Sequence, residues 1–167
     1  ETIQRYQNEM FNCEMVFGGM KNEAFILYHL SLSNCNAFEA SNMPYVSIGS
    51  GSDEAQKILA GYVEQLPRRK RREIGRMEGM FRLIEATNAA SRVNIGVGGI
   101  PQIMYMDKDG IREVDEESSI FLSEIVKGFD YKQLPRSFVD EAIDGIVFKN
   151  SVSFEAMQEQ MKKKAKS

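Results

Sequence analysis

Residues Pro44 to Leu59 read PYVSIGSGSDEAQKIL, and the spacing of the apolar residues changes inside this stretch. Up to Ile48 they alternate, as on a half-buried strand. From Asp53 they recur every three or four residues, and Ala55, Ile58, Leu59, Tyr62, Val63 and Leu66 form the stripe of an amphipathic helix. Ser52 or Asp53 stands where a cap would accept the first-turn amides, and Pro67 ends the helix. Between the two patterns lies Gly-Ser-Gly-Ser, and three readings of it stay open. It is a corner that lets backbones approach closely, a support for a reacting group through Ser50, or a phosphate cradle at a helix N-terminus. The last fits poorly, because the GxxxxGK[ST] spacing is missing and Asp53 puts a negative charge where the phosphate would sit.

Upstream, Cys13 to Gly19 (CEMVFGG) and Ala24 to Leu32 (AFILYHLSL) flank the turn-like MKNE and predict an antiparallel hairpin. Asn36 to Ala40 and Tyr45 to Ile48 continue the strand pattern. Downstream, Arg71 to Ser91 predicts a second helix, with Ile74, Met77, Met80, Phe81, Ile84 and Ala90 on one stripe. The following NIGVGGIPQIMYMDKDGIREV, Asn94 to Val114, predicts a second hairpin about an Asp-Lys-Asp-Gly turn. Three short helices then follow, Ser118 to Lys127, Ser137 to Gly145 and Ser153 to Lys164, with Lys127 to Arg136 as a linker. Strands and helices segregated in this way imply an α+β chain, an antiparallel sheet of six strands under a helical layer.

With 167 residues the chain suits one domain, and its 43% hydrophobic and 27% charged residues are ordinary for a globular protein. A net charge of -3 gives no global attraction to nucleic acid. No apolar run reaches the ~18 residues of a membrane span. Cys13 and Cys35 have neither zinc nor redox spacing, which predicts reduced thiols and a cytoplasmic setting. His29, the single histidine, sits on an apolar strand and reads as structural, so no metal or other cofactor is expected. The basic run Arg68 to Arg72 (RRKRR) reads as a solvated helix start, with an acidic partner or neighbouring subunit as the alternative and nucleic acid last. The tail KKKAKS reads as a helix end, and the ten methionines as adaptable core or subunit interface.

The succession MVFGG, ILYHLSL, YVSIGSGSDEAQKIL, a helix pair and GVGGIPQIMYMDKDG resembles the later part of a proteasome-type N-terminal nucleophile (Ntn) hydrolase subunit. The resemblance covers about residues 10 to 112. It implies part of an αββα sandwich over residues 1–127 and a helical extension over 128–167. It further implies a threonine-type peptidase or amidase acting on polypeptide, working as a homo- or hetero-oligomer in the cytoplasm. In that family a first-residue threonine attacks, its own α-amine (pKa ~7.7) taking the hydroxyl proton. This chain begins with Glu1, and its threonines are Thr2 and Thr87. Trimming Glu1 would expose Thr2, but the residues before Cys13 leave no room for the strands that carry the nucleophile's partners, at about five residues each. The expectation is therefore a chain whose catalytic N-terminal part lies elsewhere, inactive alone. The alternative is a non-catalytic structural subunit. No catalytic residue is assigned within the chain. Among the family's supporting residues only Ser50 carries over, as the serine that hydrogen-bonds near the nucleophile's amine. The family's later Asp and Ser would fall in Val93 to Gly99, where VNIGVGG offers neither. An uncovered sheet face and the stripe Met77, Met80, Phe81 and Ile84 are expected to meet a neighbouring subunit.

Overall fold

The computed structural model describes residues 13–22, 24–32, 36–71 and 73–164. Strand β1 (Glu14–Lys21) pairs antiparallel with β2 (Ala24–Ser31), from Glu14 opposite Ser31 to Lys21 opposite Ala24. Strand β3 (Asn36–Glu39) adds to the other edge of β2. The chain leaves β1 through Asn22 at φ 51, a conformation that asparagine tolerates better than most residues. Directly opposed residues share a face. One face therefore carries Met15, Phe17, Tyr28 and Leu30, and the other Val16, Met20, Phe25, His29 and Phe38.

The expected fourth strand, Tyr45 to Ile48, does not form. This segment runs beside the helix that follows it, with Ser47 Oγ donating to the Ser52 carbonyl at 3.3 Å. Helix α1 spans Ser52–Gln65. Its N-cap is Gly51, with no side-chain cap bond, so neither Ser52 nor Asp53 plays the capping part expected of it. Leu66 turns extended (ψ 143), as a residue before proline must. A 3-10 turn at Arg68–Lys70 leads to helix α2, Arg76–Val93, which packs against α1. This helix begins five residues later than its stripe suggests. Arg71 instead folds back, donating from Nε to the Leu66 carbonyl and from Nη2 to that of Glu64, each at 3.1 Å. It thereby satisfies carbonyls that the end of α1 leaves open.

Strands β4 (Met104–Asp107) and β5 (Gly110–Glu113) form the expected hairpin about the Asp-Gly turn. Helix α3 (Glu116–Asp130) follows. Helix α4 (Arg136–Ile143) runs on into a π-helical turn, Asp144–Phe148, and α5 covers Phe154–Lys164. The core belongs to these helices: Phe81 and Ile84 of α2 meet Leu122 and Val126 of α3 and Phe138 and Val139 of α4. Burying each such side chain contributes about 1.5–3 kcal/mol. A polar clasp inside the core fixes α2 on α3: Ser123 Oγ donates to Asn88 Oδ1 at 2.6 Å, and Asn88 Nδ2 to the Ser123 carbonyl at 3.0 Å.

Three corrections to the expected architecture follow. The chain is α+β, with five α-helices among the described residues, but its strands make two small antiparallel sheets, not one sheet of six. No residue of β1, β2 or β3 is fully buried. The stripe Met80, Phe81 and Ile84, expected to face another subunit, is covered within the chain, because α3 and α4 bring enough apolar surface to close over it. Lys127 to Arg136, expected as a linker, is a tight helix-helix turn: the Gln133 N–H reaches the Gly128 carbonyl at 2.8 Å, and a Cβ on Gly128 would lie 2.9 Å from Leu134 Cδ1. One core thus spans the residues on both sides of that turn.

Candidate functional site

The Gly-Ser-Gly corner is built by close packing. Gly49 has φ +89, and the Ser52 N–H closes the turn onto the Gly49 carbonyl at 3.0 Å. Gly51 is buried; a Cβ there would stand 2.5 Å from Val97 Cγ2 and 2.9 Å from Ala90 Cβ. The corner is therefore seated on the end of α2 and on the Asn94–Val97 turn. Asn94 holds the two together: its Nδ2 donates to the Ser50 carbonyl, and its Oδ1 accepts the Gly96 N–H at 2.8 Å. The Ser50 hydroxyl is on the exposed side, beside Gly96, whose Cβ would be 3.1 Å from it. The corner reading of this loop thus has a direct physical basis. Among the described residues no imidazole or carboxylate is hydrogen-bonded to Ser50, which is there a positioned hydroxyl without a base to activate it.

A cavity of about 640 Å³ lies a short way along α1, between β2, β3, residues 42–47 and the α1 face of Gln56, Ala60 and Val63. Phe38, Met43 and Val46 give it apolar walls, and His29, Tyr45, Glu64 and Arg68 give it polar groups. His29 lies edge-on to Phe38, with ring centroids 4.9 Å apart. Its Nε2 is 3.5 Å from Glu14 Oε1 but is buried with no hydrogen-bond partner among the described residues. The two observations agree once geometry is considered: the carboxylate is near, at a separation and angle short of a hydrogen bond. Burial, reinforced by the Glu64 charge, raises the Tyr45 hydroxyl above the ordinary tyrosine range.

A second cleft, about 690 Å³, runs between β5, the start of α3 and residues 150–155. Asp115 caps α3 there, accepting the Ser118 N–H at 2.8 Å, and that backbone bond holds its carboxyl below the usual aspartate range. With its acidic neighbours Glu113, Glu117 and Glu155 it sets four carboxylates in the lining against one guanidinium, that of Arg112. Among the described residues no three His, Cys, Asp or Glu side chains come together as metal ligands.

The candidate residues read from sequence are scattered. Ser50 is at the corner, His29 in the cavity wall, and Arg68 and Arg71 flank the same cavity; Arg72, Cys35 and Thr2 lie outside the described residues. Cys13 is a free, half-buried thiol. Thr87 is engaged in α2, its hydroxyl donating to the Leu83 carbonyl at 2.9 Å. Sequence reasoning missed Asn94, although an asparagine closing a helix before a glycine-rich turn is a known stop signal. It also missed Tyr45, because Tyr45 to Ile48 alternate as a strand does. No described helix is long and apolar enough to cross a membrane. Compared with family models, curated proteins and solved structures, the chain matches none.

Proposed function

We propose that these residues form the backing part of a proteasome-type Ntn hydrolase subunit, a threonine peptidase or amidase whose nucleophile is supplied by residues outside the 167. The observation that carries this reading is the three-stranded sheet. Phe17 (53% exposed) and Tyr28 (44%) stand open on one face, and Phe25 (48%) and Phe38 on the other. A sheet apolar on both faces is an inner layer. One face looks across the cavity to α1; the other requires a second layer, as the αββα sandwich would provide. In this arrangement Ser50 is a positioning residue. Its exposed hydroxyl, on a corner fixed by Gly51 and Asn94, would hydrogen-bond near the terminal amine that takes the threonine proton. The threonine oxygen then attacks the substrate carbonyl, the C–N bond breaks as the leaving amine takes the proton held by the terminal amine, and water hydrolyses the acyl ester to free the acid and restore the threonine hydroxyl.

The test is made on the particle purified from its source through a tag on this chain. Wild type is expected to hydrolyse fluorogenic peptides, and Ser50→Ala to lower kcat about tenfold or more while the particle stays assembled. Unchanged kcat in Ser50→Ala would refute the supporting role. A second reading, a non-catalytic structural subunit, is favoured by the absence of a base beside Ser50 among the described residues. An assembled but inactive particle would select it.

A further inference from the structure

The cavity between β2, β3 and α1 is not used by that reading. Its volume of about 640 Å³ lies within the usual range of small-molecule sites, about 300–1,000 Å³, and its apolar walls with a few convergent polar groups have the usual make-up of such sites. The guanidinium of Arg68, an exposed residue of the cavity lining, makes no ion pair or hydrogen bond among the described residues, whereas that of Arg71 is committed to backbone carbonyls. An uncommitted guanidinium beside apolar walls suits a carboxylate, whose two oxygens match its fork. Tyr45 adds a hydroxyl donor and His29 a buried ring nitrogen with no hydrogen-bond partner among the described residues. Glu64 on the same rim repels a second negative charge. We propose that this cavity binds a small apolar monocarboxylate, its hydrocarbon against Phe38, Val46 and Val63 and its carboxylate paired with Arg68.

The single histidine makes the test direct, because its Cε1 proton gives one resolved signal from the cavity wall. Proton NMR titration of the full chain with hydrocinnamate is expected to shift that signal saturably. Its neutral amide, hydrocinnamide, should bind about tenfold or more weakly, and Arg68→Gln should weaken the acid by a similar factor. Arg68 is exposed, so this variant should fold as wild type does. Ala60→Phe, which fills the cavity, should abolish the shift with the rest of the spectrum preserved. No saturable shift at millimolar hydrocinnamate, equal binding of acid and amide, or unchanged binding in Arg68→Gln would overturn the proposal. Tighter binding of phenyl phosphate than of hydrocinnamate would overturn the assignment to a monocarboxylate.

Discussion

Gly51 lies so close to Val97 that a Cβ at position 51 would be 2.5 Å from Val97 Cγ2. The contact joins the start of α1 to the turn after α2 and fixes where Ser50 presents its hydroxyl. Gly51→Ala must push Val97 or Ala90 aside, at a cost of about 1–3 kcal/mol. Urea denaturation should show a lowered midpoint with an unchanged slope. A stability equal to wild type would mean that the corner is looser than described.

Glu78 links α2 to α4. Arg136 Nη2 reaches its Oε2 at 2.5 Å and Arg82 Nε its Oε1 at 2.7 Å, while the Arg136 guanidinium lies 3.7 Å from the Phe81 ring centroid. Burial alone would raise the Glu78 carboxyl, but the two guanidiniums outweigh it and hold the group below the usual carboxylate range. A carboxylate depressed in the folded state stabilises fully above its unfolded pKa of ~4.3, and that contribution is lost as pH falls through the folded value. Glu78→Gln should cost about 1 kcal/mol at pH 7, a modest figure because all three side chains are partly solvated. It should also flatten the loss of stability below about pH 4. Melting temperatures of both proteins across the acid range would check this.

Asp115 caps α3 through a side-chain bond to the helix's own first turn, as Ser153 does more loosely for α5, where the Ala156 N–H reaches its Oγ at 3.5 Å. The Asp115 carboxyl is also depressed, through the bond from the Ser118 N–H, so its contribution is likewise present above ~3.9 and lost in acid. Asp115→Ala should cost about 1 kcal/mol and Asp115→Ser clearly less. Equal effects of the two substitutions, measured by chemical denaturation, would contradict the capping assignment.

Asn88 and Ser123 are both buried, and each satisfies the other. Asn88→Ala leaves the Ser123 hydroxyl and carbonyl without those bonds and should cost about 1–3 kcal/mol. The double variant with Ser123→Ala should cost less than the sum of the two single variants.

The sequence made the helices legible because their stripes are long: α1 and α2 lie within a few residues of expectation, and the Asp-Lys-Asp-Gly hairpin formed where its turn residues stand. The placement of the sheets was not legible. Alternation at residues 45–48 reads the same whether the side chains face a sheet partner or a cavity against α1. The strand runs are apolar on both faces, so periodicity could not say which elements would cover them. The coverage of Met80 and Phe81 was hidden for a related reason: a stripe shows that it will be buried, not by what. At the corner, the tight turn was legible from its glycines, while the parts of Asn94 and Tyr45 depend on contacts across tens of residues.

The open face of the sheet gives a prediction about assembly. Phe17 is exposed in the chain, so Phe17→Glu should change its own stability by no more than about 0.5 kcal/mol. In the proposed sandwich the same position is interior, and a buried carboxylate there would prevent assembly. Thermal melting of the chain beside sedimentation of the purified particle separates the two effects. A particle that assembles normally with Glu at position 17 would show that this face is not covered.

The central claim, that this chain backs a threonine nucleophile held elsewhere, is tested most directly by locating that nucleophile. The particle isolated through this chain would be treated with a peptide epoxyketone, which reacts with an N-terminal threonine's hydroxyl and amine together, and the adduct mapped by mass spectrometry. The account predicts one modified threonine in the particle, at a free N-terminus outside these 167 residues, with Thr2 and Thr87 unmodified. An adduct on Thr2 or Thr87, or no modified threonine anywhere in the particle, would contradict it.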